Sequence, residues 1–383
     1  MINIQRKEDC CGCSACAQCC PTQCIKMEAD KEGFLYPKVD SEKCINCNLC
    51  TKICPVINPQ NIRTPIESFG AYIIDKEIRL QSSSGGIFSL LAKKIIDEEG
   101  IIFGATYNNE WEVVHRYINN AEELPLLRGS KYVQSNIGEC FKLAKSFLQR
   151  NLKVLFSGTP CQIAGLKHYL KKDYPNLITV DFICHGVPSP LIWKLYLQET
   201  LQTYNKKAKE TATIKSINFR DKCEGWKDFH FTINLNNGRA LSYQPWNNLY
   251  MRAFLCNLIL RPSCYHCPSK SGKSGSDITI ADFWQVENLL PNYNDNQGVN
   301  AVLINTTKGK ELFSKLSCVK EIVNYKDIIM YNKSYYKDYP IHPDREKFFT
   351  NLDSNKSIFK QLNKTLSTSI IKKILCRFTR LMH

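Results

Sequence analysis

The residues that decide the fold of this chain are CCGCSACAQCCP at 10–21 and CINCNLCTKICP at 44–55. Each stretch contains the pattern C-x2-C-x2-C-x3-C-P, and cysteines at this spacing hold [4Fe–4S] clusters. In each run the first three cysteines can wrap one cube, whereas the fourth, which precedes a proline, points toward the other cube. The pattern therefore predicts two clusters, one held by Cys10, Cys13, Cys16 and Cys54 and the other by Cys44, Cys47, Cys50 and Cys20.

Two rival interpretations of these cysteines are weaker. A zinc site takes four ligands and has no use for a third cysteine in each run. A disulfide framework needs an oxidising compartment, and the N-terminal MINIQRKEDC has neither the apolar core nor the cleavage site of a signal peptide. Three cysteines of the region lie off the ligand spacing, and we interpret them as packing residues: Cys11, Cys19 and Cys24.

Length and charge indicate a basic globular protein of more than one domain. Its 383 residues exceed one ordinary core, and no apolar run is long enough to span a membrane. The formal charge of +15 favours anionic partners, such as an acidic electron carrier (ferredoxin or flavodoxin) or an anionic small-molecule substrate. No nucleic-acid recognition motif is present. We expect a cytoplasmic protein, because thiols stay reduced there.

The C-terminal residues 355–383 form a basic amphipathic tail. They hold seven Lys or Arg residues and no acidic residue. Apolar residues recur at every fourth position: Ile358, Leu362, Leu366, Ile370, Ile374 and Phe378. The pattern is typical of a helix at a membrane surface, which would make the protein peripheral at the inner membrane. The alternative is a terminal helix that docks on its own domain.

Between these two ends, short apolar runs alternate with helical periodicity, which predicts an α/β fold with a mixed sheet. The predicted helices are Gly86–Glu99, Glu139–Arg150, Pro160–Leu170 and Ser189–Thr203. The predicted strands are Ile101–Tyr107, Trp111–Ile118, Lys153–Ser157, Leu177–Ile183, Asp228–Leu235, Arg239–Tyr243, Asp277–Phe283 and Gly298–Asn305. Asn236–Asn237–Gly238 is a hairpin signal between two of these strands.

Four cysteines of this body form a second candidate site. Cys161 follows one predicted strand and Cys184 ends the next, so both lie at carboxyl ends of strands, where open α/β sheets place their sites. Cys264 and Cys267 add a C-x2-C pair, and four thiols are enough for a third cube. Two alternatives are that they are buried packing residues, or that Cys161 is a nucleophile with His185 as its base.

The serine- and glycine-rich turn at 82–86 lies at the start of a predicted helix. Hydroxyls and amides at a helix N-terminus suit the pyrophosphate of a cofactor. An N-cap followed by a turn is the simpler interpretation of the same residues.

Several ordered motifs carry a resemblance to a known family. They are SSSGGIFSLLA at 82–92, GSKYVQS at 129–135, VLFSGTPCQIAGLK at 154–167, DFICHGVPSP at 181–190, FRDKCEGW at 219–226, SCYHCPSKSGKSGSDITIADFW at 263–284 and HPDREKFF at 342–349. The chain resembles the coenzyme F420 hydrogenase/dehydrogenase beta-subunit proteins, with a fused N-terminal bacterial-type ferredoxin domain. It departs from their usual pattern at Gln285, where many relatives carry glycine, and near Ser274, where many carry arginine.

The resemblance implies an FAD-binding body beside a [4Fe–4S] cluster. The cluster ligands it implies are Cys161, Cys184, Cys264 and Cys267. The flavin-binding residues it implies are Ser83, Ser84, Gly85, Gly86, Ser130, Lys131, Tyr132, Asp282 and Trp284. The implied domains are a 2[4Fe–4S] ferredoxin domain at 1–58, a linker at 59–68, a flavin and iron–sulfur body at 69–150 and 151–354, and the tail at 355–383.

These features predict an oxidoreductase that passes electrons from a ferredoxin-like donor through clusters to FAD and on to a substrate or a deazaflavin-type acceptor. The candidate catalytic residues are Lys131 for the reduced flavin or its phosphates, Arg220 for an anionic substrate group, and His185, whose expected role is to support Cys184. The alternative is a non-catalytic electron-transfer subunit that feeds a separate reductase. Relatives include plant chlorophyll-side-chain reductases and proteins encoded among cell-surface polysaccharide genes, so a role in polysaccharide biosynthesis is a further expectation.

Overall fold

The computed structural model describes residues 1–367, which form an eight-stranded sheet, a three-stranded sheet and an N-terminal hairpin. The strands are β1 (Ile25–Ala29), β2 (Leu35–Val39), β3 (Glu67–Ile73), β4 (Ile101–Tyr107), β5 (Val113–Ile118), β6 (Val154–Ser157), β7 (Leu177–Phe182), β8 (Ile214–Asp221), β9 (His230–Leu235), β10 (Ala240–Tyr243), β11 (Ile278–Asp282), β12 (Asn300–Ile304) and β13 (Cys318–Ile322). The helices are α1 (Ala15–Cys19), α2 (Leu49–Lys52), α3 (Lys76–Gln81), α4 (Ile87–Ile96), α5 (Leu124–Leu127), α6 (Cys140–Gln149), α7 (Pro160–Leu170), α8 (Pro190–Ala208), α9 (Leu249–Leu255), α10 (Val286–Leu289), α11 (Thr307–Ser314), α12 (Tyr325–Tyr331), α13 (Arg345–Thr350) and α14 (Ile358–Ser367).

The large sheet is mixed, with the order β13-β3-β12-β11-β7-β6-β4-β5. Its central strands β4, β6, β7 and β11 are parallel, and the outer strands pair antiparallel. Alternate residues of the central strands face opposite sides: Ile102 and Leu155 pack on one side, and Phe103 and Phe156 on the other. Helices cover both faces, as the near-continuous apolar strands require. The predicted mixed α/β fold is confirmed.

Most element boundaries follow the sequence pattern, and the exceptions have local causes. The helix predicted to end at Thr203 continues to Ala208, because the chain leaves it through Lys209 in a left-handed conformation and offers no glycine stop signal. The strand predicted from Trp111 begins at Val113, because Trp111 has a φ of 62° within a tight turn.

The N-terminal domain packs against the body through a shared apolar core. Cys13, Ala15 and Ile53 belong to the same buried cluster as Phe141 and Ile163 of the body. Apolar contact of this kind stabilises a fixed arrangement rather than a mobile tether.

A buried arginine fastens the same interface. Arg261 is 0% exposed. Its guanidinium donates from Nε to Cys10 O (2.8 Å), from Nη2 to Leu35 O (3.0 Å) and from Nη1 to Gln134 Oε1 (2.9 Å). Gly12 has a φ of 70°, and a Cβ there would lie 2.7 Å from Arg261 Nη1, so only glycine fits beneath the guanidinium.

The described part of the basic tail docks on the body. Ile358, Leu362 and Leu366 of α14 are buried in the core cluster formed with α8 and α9. The docking interpretation therefore holds for this half of the stripe, whereas Ile370, Ile374 and Phe378 lie outside the described residues. No helix within residues 1–367 is both long and apolar enough to cross a bilayer.

We predict that Leu362→Ala lowers the free energy of unfolding by about 2–5 kcal/mol, because it leaves a cavity where a fully buried side chain was. Urea unfolding followed by tryptophan fluorescence measures the change. The exposed Lys360 lies on the same helix, and Lys360→Ala should change the stability by less than about 0.5 kcal/mol. Equal losses in the two variants would show that α14 does not depend on this packing.

Candidate iron–sulfur and cofactor site

One thiol cavity lies at the surface end of the N-terminal domain. Its lining includes four predicted ligands, three from the second run and one from the first: Cys44, Cys47, Cys50 and Cys20. The Ile2 N–H donates to Cys50 Sγ at 3.2 Å, a contact of the kind that tunes cluster potentials. Cys24, interpreted above as a packing residue, also lines the cavity, with its Sγ 3.3 Å from that of Cys20.

The thiols of the other N-terminal set lie within electrostatic reach of one another. Burial raises the pKa of the Cys16 thiol, and the neighbouring Cys10 and Cys54 raise it further. Cys10 also raises the pKa of Cys54 and contributes to the raised pKa of Cys13. Thiols this close cannot all ionise unless a cationic centre compensates them, and a bound metal deprotonates its thiols. The members of each crossed ligand set thus lie near one another, and the assignment of each cysteine to one cluster stays a prediction.

A third thiol cavity lies at the carboxyl edge of the parallel strands. Cys161 is in the first turn of α7, directly after β6, and Cys184 follows β7, the neighbouring parallel strand. A short 3-10 turn, Pro262–His266, brings the C-x2-C pair to the same place. The four predicted ligands line this one cavity: Cys161, Cys184, Cys264 and Cys267. Burial raises the pKa of Cys184, and the other three thiols raise it further.

Cys11 is a fifth thiol in this cavity. A hydrogen bond with Cys11 raises the pKa of Cys161, and burial adds to the effect. Cys11 lies between two predicted ligands of the N-terminal domain in sequence, so it connects the first cluster loop to the third thiol cavity.

Within residues 1–367, no three His, Cys, Asp or Glu side chains converge as the ligands of a single metal ion would.

The geometry disfavours a Cys161 nucleophile with His185 as its base. A hydrogen bond with Cys11 and burial raise the pKa of Cys161, whereas an activated cysteine nucleophile has a lowered pKa. His185 Nε2 lies 2.7 Å from Asn257 Oδ1, and the ring packs 4.1 Å from that of Tyr339. These contacts fix the ring of His185, the residue after Cys184, and its supporting role stays a prediction.

A larger cavity, of about 660 Å³, lies next to the third thiol cavity, and we call it the large cavity. The two share the segment 182–187 and Ser334 as a common wall. The large cavity is lined by the predicted ligand Cys184 and by ten of the residues that the sequence predicted for flavin binding or catalysis: Ser83, Ser84, Gly86, Ser130, Lys131, Tyr132, His185, Arg220, Asp282 and Trp284. Gly85 is not among the lining residues; a Cβ there would lie 2.6 Å from Ala71 O, so close packing on β3 explains this glycine.

One end of the large cavity is rich in hydroxyl groups and cations. The Ser130 N–H donates to Ser83 Oγ at 2.7 Å, which joins the turn before α4 to the loop at 129–135. Lys131 Nζ donates to the carbonyl oxygens of Leu127, Arg128 and Gly129. Burial lowers the pKa of Lys131 to about 7, so its charge titrates near neutrality.

A second buried lysine, to which the sequence assigned no role, holds the serine turn in place. Lys222 Nζ donates to Arg79 O (2.8 Å), Ser84 O (2.8 Å) and Gln297 O (2.6 Å). Burial lowers its pKa to about 7. Lys222 belongs to the FRDKCEGW motif, but its partners come from segments far away in sequence, so no local signal identifies this contact.

The other end of the large cavity is aromatic around a buried ion pair. Arg220 Nη1 donates to Asp282 Oδ2 at 2.9 Å, and the guanidinium lies 3.9 Å from the centre of the Phe229 ring. The rings of Trp226 and Trp284 stack with their centroids 5.3 Å apart and an interplanar angle of 8°. The arrangement offers flat apolar walls on either side of a cation.

His115 and Asp181 are two further titratable residues that the sequence analysis did not identify. His115 lines the large cavity between Ser135 Oγ (2.6 Å) and Ser157 O (2.9 Å), and burial lowers its pKa to about 4. The ring is therefore neutral. Asp181 lines the third thiol cavity, and burial raises its pKa to about 6 against the opposing hydrogen bonds of neighbouring hydroxyls. Single His and Asp residues within strands carry no sequence signal of this kind.

The structure shows where the two departures from the family pattern, Gln285 and Ser274, lie relative to the cavities. Gln285 lines the large cavity with a φ of 56°, a conformation that glycine adopts more readily. Ser274 is fully buried, and its hydrogen bond lowers the pKa of Asp181 against the effect of burial. Neither residue is among those that line the third thiol cavity in the described part of the chain.

Comparison with known proteins agrees with this arrangement. Residues 151–327 match the family described as the C terminus of the coenzyme F420 hydrogenase/dehydrogenase beta subunit, and residues 9–58 match the 4Fe-4S dicluster domain. Residues 151–327 are therefore related to this beta-subunit family, and the N-terminal segment is similar to a dicluster domain, which together indicate an iron–sulfur electron-transfer protein. No curated protein matches it significantly. A chain of the F420-reducing [NiFe] hydrogenase complex from Methanosarcina barkeri is similar, with 17% identity and a TM-score of 0.46 over 80% of this chain and 92% of that chain.

We predict that Cys264→Ala lowers the iron content of anaerobically purified protein by about four atoms per chain, because one cube loses a ligand. Iron analysis and electron paramagnetic resonance of the reduced protein measure the loss. Cys11→Ala is the matched control, since Cys11 lines the same cavity but is not a predicted ligand; it should keep all its iron. A loss of iron in the Cys11 variant, with none in the Cys264 variant, would reverse this ligand assignment.

Proposed function

We propose that this protein is an iron–sulfur flavoprotein oxidoreductase. In this proposal single electrons enter from an acidic carrier, pass through three [4Fe–4S] clusters and reach FAD, which reduces a small anionic or deazaflavin-type acceptor. The observation that carries the proposal is the common wall at 182–187: a four-thiol cavity and a cavity large enough for an organic cofactor lie side by side.

The chemistry of the large cavity fits FAD. The N-terminus of α4, the Ser83 and Ser130 hydroxyls and the Lys131 ammonium suit a pyrophosphate. The aromatic end around Trp284 suits a flat ring. The volume of about 660 Å³ lies within the range of natural cofactor sites. Hydroxyls, a cation and aromatic faces in one cavity are the set of groups that a dinucleotide requires.

The order of the thiol sites gives the proposed path a direction. Cys47 of the second cluster site is exposed, whereas Cys13 of the first site is buried against the body. The third site lies beyond Cys11, next to the large cavity. A basic surface attracts an acidic carrier, which favours entry at the exposed end.

The residues of the chain have separate roles in this scheme. Bound clusters supply electrons singly, and a bound flavin pairs them for transfer as hydride. Lys131 holds positive charge at one end of the cavity, and Lys222 holds the turn that contains Ser84. The neutral His115 adds no charge. His185 positions Cys184 at the wall between the two cofactors.

We predict that protein purified without oxygen contains about twelve irons and about one FAD per chain. Dithionite should bleach both chromophores, and reduced protein should transfer electrons to F420 or to a nicotinamide. Bound FAD without turnover of any acceptor would favour the alternative, a subunit that feeds a separate reductase. Absence of flavin after reconstitution with FAD would refute the proposal.

A role in polysaccharide synthesis and a membrane contact of the tail stay predictions.

We further predict that the affinity for FAD falls as the pH rises above about 7, because Lys131 loses the charge that attracts the phosphates. A bound anion raises the pKa of this lysine, so the fall extends upward from neutrality. Lys131→Met should weaken binding about ten- to a hundredfold at pH 6 and make the pH dependence shallower, since Lys222 still titrates beside the serine turn. Equilibrium dialysis of deflavinated, cluster-loaded protein measures both effects.

Two variants control this experiment. Lys131→Arg should extend tight binding to higher pH, because a guanidinium stays charged. Lys227→Met changes an exposed lysine that lines the same cavity and should leave the pH profile unchanged. A profile that is the same in wild type and Lys131→Met would remove Lys131 from the flavin site.

A further inference from the structure

We propose that Arg220 binds a planar carboxylate group of the acceptor through the Nε–Nη2 edge of its guanidinium. This inference rests on the proposed oxidoreductase function, because it names the chemical class of the substrate of that same cavity. Arg220 comes from β8, lines the cavity of about 660 Å³ and is 3% exposed.

The hydrogen bonds of Arg220 leave one edge of the guanidinium unsatisfied. Nη1 donates to Asp282 Oδ2 at 2.9 Å and lies 3.5 Å from the Tyr132 hydroxyl. Nε and Nη2 are buried and have no hydrogen-bond partner within the part of the chain that the structure describes. Buried donors without partners are rare in native proteins, and one explanation is a missing ligand. The two free N–H groups of Arg220 lie on the same edge of the guanidinium and are parallel, which is the arrangement that binds the two oxygens of a carboxylate.

The net charge of the groups around Arg220 also favours the binding of one anion. Asp282 is shared, since the Trp226 indole donates to its Oδ1 at 3.2 Å while Arg220 binds Oδ2. Lys222 lies within electrostatic reach of both Arg220 and Asp282. When Lys222 is protonated, two cations and one carboxylate leave a net charge of +1, which one carboxylate ligand neutralises.

The walls of the subsite indicate what the carboxylate is attached to. The centre of the Phe229 ring lies 3.9 Å from Arg220 Cζ, and that of Trp284 lies 5.3 Å from it. Both rings line the large cavity, as does Trp246. Flat aromatic walls favour a flat, apolar body, so the ligand class is a conjugated or aromatic carboxylate. A guanidinium edge also binds two oxygens of a phosphate, so it is the flat aromatic walls that favour a carboxylate, whose plane can continue that of an attached ring.

Benzoate is the probe for this subsite, and benzamide is its neutral analogue of the same shape. Equilibrium dialysis of labelled benzoate and benzamide against the cluster-loaded, FAD-containing protein measures binding. The wild type should bind benzoate at least about tenfold more tightly than benzamide. Arg220→Lys keeps the charge but not the two parallel donors, so it should weaken benzoate binding about tenfold or more. Lys227→Gln, which alters an exposed cation of the same cavity, should stay within about twofold of wild type.

Flavin and iron contents of each variant separate the possible outcomes. Retention of FAD and iron in Arg220→Lys, together with loss of benzoate binding, supports the subsite. Loss of FAD in Arg220→Lys and Arg220→Gln would instead make Arg220 a flavin contact and overturn this inference. Wild-type protein that contains FAD but does not distinguish benzoate from benzamide would also overturn it, while leaving the proposed function intact. Wild-type protein that cannot be loaded with FAD would refute the proposed function whatever benzoate does.

Discussion

The guanidinium of Arg261 is the contact on which the arrangement of redox sites depends. A planar group with five donors can bind carbonyl oxygens in several directions at once, and Arg261 uses three nitrogens to join Cys10 O, Leu35 O and Gln134 Oε1. Two of these acceptors belong to the N-terminal domain and one to the body. Because the guanidinium is fully buried, the bonds do not compete with water. The loop between Cys10 and Cys16 is thereby held against the third thiol cavity, and electron transfer between clusters requires such a fixed separation.

The parallel strands at the centre of the sheet decide where the third thiol cavity and the large cavity meet. β6, β7 and β11 end at the same edge, and the residues that follow them supply Cys161, Cys184 and the segment after Asp282. The same short segment, 182–187, then serves two cavities. Lys131 in the large cavity and Lys222 beside the serine turn are each bound to three carbonyl oxygens, which partly offset the cost of removing an ammonium from water. Buried cations with pKa values near 7 are typical of sites that bind or transfer charge.

Much of the fold was predictable because its signals are local. The predicted bounds of β4 and α7 agree with the structure to the residue, and Gly238 turns the hairpin between β9 and β10 with a φ of 82°. The candidate site was only partly predictable. The serine turn before α4 has a local sequence signal, because hydroxyl and glycine residues precede a helix. The contacts of His115 and Lys222 have none, because their partners come from segments distant in sequence. The tail shows the same contrast. The spacing of its apolar residues predicted a helix, but only the structure shows that Leu362 packs against α8 and α9.

The sequence alone determined the features that depend on residue spacing: the N-terminal dicluster domain, the alternation of strands and helices, and the basic amphipathic stripe. These features depend on residues a few positions apart, whose geometry the backbone sets. Only the tertiary structure decided that Cys11 contacts Cys161, that Arg261 reaches Cys10 across 251 positions, and that one edge of Arg220 has no hydrogen-bond partner among residues 1–367. Such contacts join distant segments whose approach is set by the packing of the whole core, and no local pattern encodes them.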